Sequence, residues 1–121
     1  MESIFINKED LLRMLSQYYS IKERRDLIIK YDIKIKYING SYLIDVLFYT
    51  DIYIKGQKIT IFLNNNDIYE VLSNYTKNKG YILDSYKYIG GIENNNKYIN
   101  DTLPYFNGIE LYVKNKTLVR K

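Results

Sequence analysis

Cysteine and histidine are both missing from this chain of 121 residues. The first absence excludes disulfides, thiolate catalysis and cysteine-ligated metals. The second removes the commonest general base and the commonest transition-metal ligand, and with them any Ser-His or Cys-His pair. No zinc site can be assembled from the usual ligands, and no cofactor is expected. Proline occurs once and glycine six times. No apolar run approaches the roughly 20 residues of a membrane-spanning helix. The opening "MESIFINKED" lacks the basic start and apolar segment of a signal peptide. These absences lead us to expect a protein of the cytoplasm (the host's cytoplasm, if it is phage-encoded) with no membrane partner.

The charge excess is mild: 18 basic against 14 acidic side chains, a net +4. Dedicated nucleic-acid binders carry a denser basic patch. Tyrosine is abundant, with 15 copies. Ile, Lys, Asn and Tyr all have AT-rich codons, so genome composition accounts for this richness without a binding role. The length suits one domain over residues 1–121.

Helix signals occur twice. In "NKEDLLRMLSQYYS", Asn7 is placed to cap and Asp10 falls in the first turn. Leu11, Met14, Leu15, Tyr18 and Tyr19 then line one face. In "NNNDIYEVLSNYTKNKG" an Asn from 64–66 caps, Ile68, Val71, Leu72 and Tyr75 form the apolar face, and Gly80 suits the left-handed stop. Between them, Ser20 and Glu23 have capping-box spacing, which reads as a short second helical turn or a polar loop.

The strand signal is strongest at 29–37. Ile29, Tyr31, Ile33, Ile35 and Tyr37 alternate with Lys30, Asp32, Lys34 and Lys36. Asn39-Gly40 supplies the positive-φ residues of a type I′ turn. A return strand from Tyr42 to about Tyr53 is apolar on both faces and reads as central in its sheet. Gly56-Gln57 turns the chain into "KITIFL", and "YILDSYKYI" and "GIELYVK" supply two further strands. The expected fold is α+β, with a mainly antiparallel sheet of about five strands, two helices on one face and the order α-β-β-β-α-β-β.

Four features are weighed for function. Glu9-Asp10 is an adjacent carboxylate pair, but it sits in a first helical turn where acids favour the dipole. Neighbouring helical side chains also diverge by about 100°, which does not suit a shared proton. Gly90-Gly91 lacks the Lys-Ser/Thr of a phosphate loop and reads as a bulge or bend ending a strand. Lys30, Lys34 and Lys36, extended by Arg24 and Arg25, make a basic stripe able to contact phosphates, interrupted by Asp26 and Asp32. Finally, "YIGGIENNNKYINDTLPYFNG" joins the last two strands through about eighteen residues, longer than a hairpin requires. Its Tyr98, Tyr105 and Phe106 are candidate partner anchors, with Glu93 and Lys97 as a charged rim. The competing reading makes Tyr105 and Phe106 core anchors.

The layout from the second helix through "GYILDSYKYIGGI" to "LPYFNGIELYVK" resembles small proteins carried by phages and mobile elements of low-GC bacteria. The likeness covers roughly the C-terminal half and rests on the Gly-Gly and Pro-Tyr-Phe-x-Gly marks. Proteins of this kind include inhibitors of host defence, anti-CRISPR proteins among them. The resemblance implies a non-enzymatic module that occupies a surface on a larger protein, such as a CRISPR effector or another defence nuclease. The alternative is a nucleic-acid-binding protein that uses the basic strand face.

Overall fold

The computed structural model describes residues 2–94 and 102–115. In chain order the elements are β1 (Glu2–Asn7), α1 (Lys8–Glu23), β2 (Lys30–Ile38), β3 (Ser41–Ile54), β4 (Gln57–Phe62), α2 (Asn65–Asn78), β5 (Tyr81–Asn94) and β6 (Thr102–Asn115). The α+β class holds, but the strands divide between two antiparallel sheets of three, ordered β1-β6-β5 and β2-β3-β4. The single five-stranded sheet expected from the sequence is therefore replaced by two layers. The additional strand is β1, whose partner β6 lies far along the chain.

Both helices begin as their caps predict. The Asn7 side chain accepts the backbone N–H of Asp10 at 2.8 Å, and Asn64 does the same for Asp67 at 2.8 Å. α1 does not break at Ser20. It runs on to Glu23 and stops at Arg24, which is left-handed at φ 57°. The Ser20 side chain serves the chain beyond the helix instead, accepting the N–H of Leu27 at 2.9 Å. Leu11, Leu15 and Tyr19 of α1 and Ile68, Val71, Leu72 and Thr76 of α2 are buried. Each such leucine stabilises the fold by about 1.5–3 kcal/mol relative to an exposed one.

Asn39 and Gly40 take positive φ, as the predicted hairpin requires. The second turn is centred on Lys55-Gly56, one residue earlier than the sequence suggests, with φ of 52° and 80°. β3 is the middle strand of its sheet.

The sheet β1-β6-β5 turns its inner face to both helices and, further along, to β2 and β3. Ile109, Leu111 and Val113 of its central strand have no exposure. Rings seal the junction between the two sheets. Phe106 lies 5.3 Å from Tyr31, 6.2 Å from Phe48 and 5.8 Å from Tyr88, ring centre to ring centre. We refer to β1-β6-β5 as the covered sheet and to β2-β3-β4 as the open sheet. No helix among the described residues is long and apolar enough to cross a membrane.

The expected long connection from Tyr88 to Gly108 is mostly strand. β5 continues to Asn94 and β6 begins at Thr102. Gly90 does mark a register shift, since Ile89 pairs with Gly108 but Gly90 with Phe106. The strand continues through it instead of ending. The reason is close approach: a Cβ on Gly90 would lie 2.2 Å from the Tyr105 carbonyl oxygen and 2.6 Å from Ile44 Cδ1. Pro104 is tolerated because β1 accompanies β6 only from Gly108 onward, leaving the stretch around Pro104 with one neighbouring strand.

Candidate functional site

Register decides which side chains share a face of the open sheet. Lys30 opposes Tyr49, Asp32 opposes Leu47, Lys34 opposes Asp45 and Lys36 opposes Leu43. On the other side of β3, Phe62 opposes Tyr49, Thr60 opposes Asp51 and Lys58 opposes Tyr53. All of these point away from the covered sheet, because the alternate set, including Tyr31, Ile33, Val46 and Phe48, packs inward on the core. None of the outward set is fully buried. The face exposes Leu43 (51%) near the β2–β3 turn, Tyr53 (68%) near the β3–β4 turn and Phe62 (56%) on the outer strand β4. Tyr49 and Phe62 lie against each other with ring centres 6.1 Å apart.

The basic stripe expected from the sequence is present, but it is interleaved with acid. Lys36 pairs with Asp45 at 3.1 Å and Lys30 with Asp51 at 3.4 Å. The Thr60 hydroxyl donates to Asp51 at 2.7 Å. That bond, more than Lys30 and Lys58 nearby, holds the Asp51 carboxyl below the usual range, against an opposing effect of burial. The lysines stand on the two outer strands, Lys30, Lys34 and Lys36 on β2 and Lys58 on β4, while Asp45 and Asp51 occupy the middle strand. The face thus intersperses apolar side chains with charge of both signs, the lysines along its outer strands. Arg24 and Arg25 are not on it. Both precede β2, Arg24 capping α1 and Arg25 donating its backbone N–H to Ser20.

The two aromatic candidates beside Pro104 part company. Phe106 is 2% exposed and forms the ring junction between the sheets, so it is a core anchor and not a surface one. Tyr105, one residue earlier on the opposite face, is 44% exposed. Alternation along β6 makes this split unavoidable once the segment is a strand. Glu93 lies in β5, its backbone paired with Leu103. Lys97 and Tyr98 lie outside the described residues.

A second polar cluster ties the helices together. The Tyr18 hydroxyl donates to Glu70 at 2.6 Å, the Tyr19 hydroxyl donates to Asp67, and Lys22 Nζ donates to the other Asp67 oxygen at 3.2 Å. The bond to Glu70 pushes the Tyr18 phenol up to about 12, and burial first, then Asp67, pushes Tyr19 higher still. Phenols held in their neutral form are poor nucleophiles, so this cluster fastens α1 to α2. Among the described residues no group of acidic side chains is placed to hold a metal ion. Set against known protein families, curated proteins and solved structures, the chain matches none of them.

Sequence reasoning located the lysines of the open face but missed its apolar residues. Leu43, Leu47, Tyr49 and Tyr53 alternate along β3, a signal masked because the inward set of the same strand is apolar too.

Proposed function

We propose that the chain is a protein-binding module, without chemistry of its own, that docks through the outer face of the open sheet and acts by occupying a surface on a larger protein. One observation carries the reading: Leu43, Tyr53 and Phe62 are about half exposed or more on a single sheet face that no other part of the described chain buries. Large apolar side chains exposed on one face among charged ones are candidates for the few desolvated anchors that supply most of an interface's binding energy. The lysine border fits a partner whose matching patch is apolar with carboxylates at its margin. The resemblance to phage and mobile-element proteins directs the search to defence nucleases, CRISPR effectors among them, and to an inhibitory mode of action.

A photo-crosslinking residue at position 62 and, separately, at position 105 tests this in the bacterial host. The expected result is one large protein captured from position 62 and not from 105. Capture from position 62 should be lost when Leu43→Ser and Tyr53→Ser are added to the probe-bearing chain, provided that this variant melts like the parent. Capture from 105 alone would move the docking surface to the covered sheet. The rival reading, phosphate contact by Lys30, Lys34 and Lys36, predicts tight binding of DNA or RNA that falls steeply with salt. Four lysines on this face stand against three aspartates, Asp32, Asp45 and Asp51, which supports the protein partner. Submicromolar nucleic-acid binding at physiological salt, collapsing in the triple Lys→Glu variant, would replace our reading with the rival.

A further inference from the structure

We propose that a second copy of this chain pairs with the free edge of β2, antiparallel and with its two-fold axis at Ile33. The inference uses the backbone edge of β2 and, of the open face, only Asp32 and Lys34 at its border, so it does not need the apolar residues of the docking reading above.

Among the described residues β2 is an edge strand. Its two-residue turn makes Ile38 and Ser41 the closing hydrogen-bonded pair, so even-numbered residues of β2 bond to β3 and odd-numbered ones turn their N–H and C=O outward. Ile29 shows this directly: its N–H points away from β3 and donates to Ser16 Oγ of α1 at 3.0 Å. Beyond Ile29 the outward groups of Tyr31, Ile33 and Ile35 form a ladder edge able to accept another strand.

Two gradients make that edge complementary to itself. The first is apolar. Along the inward side, exposure rises from 3% at Ile29 through half-buried Tyr31 and Ile33 to 41% at Ile35 and 65% at Tyr37. An antiparallel copy runs the gradient in reverse. Exposed Ile35 of each chain then lies beside half-buried Tyr31 of the other, against a core edge that its own chain does not provide.

The second gradient is charge. Lys30 and Lys36 are engaged with Asp51 and Asp45. Among the described residues Asp32 and Lys34 form no ion pair. With the axis at Ile33, Asp32 of each copy faces Lys34 of the other, twice. These are non-hydrogen-bonded positions, where side chains of neighbouring strands come closest. Moving the axis to Lys34 sets lysine against lysine, and moving it to Ile35 sets Lys34 against Lys36. Charge therefore selects one register of the three. The Ser16 bond to Ile29 limits the ladder to residues 31–35 of each copy.

Sedimentation equilibrium on the full chain should give a particle of twice the 14.5 kDa chain mass at high concentration, dissociating on dilution. Asp32→Lys or Lys34→Asp alone puts like charges face to face, and each should raise the dimer dissociation constant roughly tenfold or more. The double swap should restore the parent value. Ile35→Pro removes an outward N–H that β3 does not use, and should yield a monomer. If that proline variant fails to fold, the charge swaps decide alone. A chain monomeric at every concentration overturns the proposal. So does a dimer that ignores the single swaps, or one that the double swap fails to rescue. A dimer unaffected by Leu43→Ser/Tyr53→Ser, together with lost partner capture from position 62 in the same variant, separates this edge from the docking face.

Discussion

The covered sheet and the open sheet are built from the same pattern of alternating apolar and polar residues, yet they end in different environments. In the covered sheet the inward residues Ile109, Leu111 and Val113 are completely buried, because α1, α2 and the second sheet share the task of covering them. In the open sheet the inward side starts equally well, with Phe48 at 1%, and ends with Tyr37 at 65% and Tyr42 at 66%. Alternation determines which way a side chain points. It does not determine whether anything is there to meet it. A strand longer than its core leaves apolar side chains exposed on the correct side.

The largest expected effect tests that contrast at two inward aromatics. Phe106→Ala should cost about 3–5 kcal/mol, since three rings lose their common contact. Tyr37→Ala should cost at most about 1 kcal/mol, the scale of its cross-strand contact with Tyr42 at 4.9 Å. Chemical denaturation of the two variants measures both. Equal losses would show that the end of the open sheet is covered in solution.

An intermediate effect is expected where the two sheets touch. Gly90→Ala forces a methyl group into the Tyr105 backbone and Ile44 of the open sheet, and should cost about 1–3 kcal/mol. Gly91→Ala meets only the tip of the Tyr105 ring, at 3.1 Å, which can swing aside, so the loss should be small. Thermal melts of the pair show whether the sheets bear on each other at Gly90. Comparable melting temperatures would place the contact elsewhere.

The smallest effects are in pH dependence. The Tyr19 hydroxyl above all, with Lys22, holds Asp67 below the ordinary carboxylate range. A carboxyl lowered in the folded state contributes stability above its unfolded value, roughly 3.9, and loses it as pH falls through the folded one. Asp67→Asn should therefore flatten the acid limb of a stability profile, and Asp51→Asn should do so less, because its partners stand in solvent. At the alkaline end the sign reverses. The raised Tyr18 phenol contributes fully below about pH 10 and loses that contribution as pH climbs toward about 12. Tyr18→Phe should remove this part of the alkaline limb.

Much of the scaffold was legible in the sequence. Asn7 and Asn64 announce both helices because their side chains do the capping wherever the chain goes next. Asn39-Gly40 fixes its hairpin for an equally local reason. What escaped was non-local. β1 is six residues running directly into a helix cap, and only its ladder with β6 makes it a strand. Gly90-Gly91 reads as an interruption because its compensation, the close backbone of β6, belongs to another part of the fold. The candidate site was half legible for the same cause: the lysines of β2 show in its alternation, while the aspartates that answer two of them stand on β3.

One consequence of the topology concerns the order of manufacture. The open sheet is a run of adjacent hairpins, complete once residue 62 has been made. The covered sheet joins Glu2 to Val113 and Asn7 to Gly108, and the strand in its middle is β6. A chain leaving the ribosome thus carries Leu11 and Leu15 of α1 with no finished sheet to receive them until β6 emerges. For most of synthesis the part that will become the most deeply sheltered is the part most in need of a chaperone.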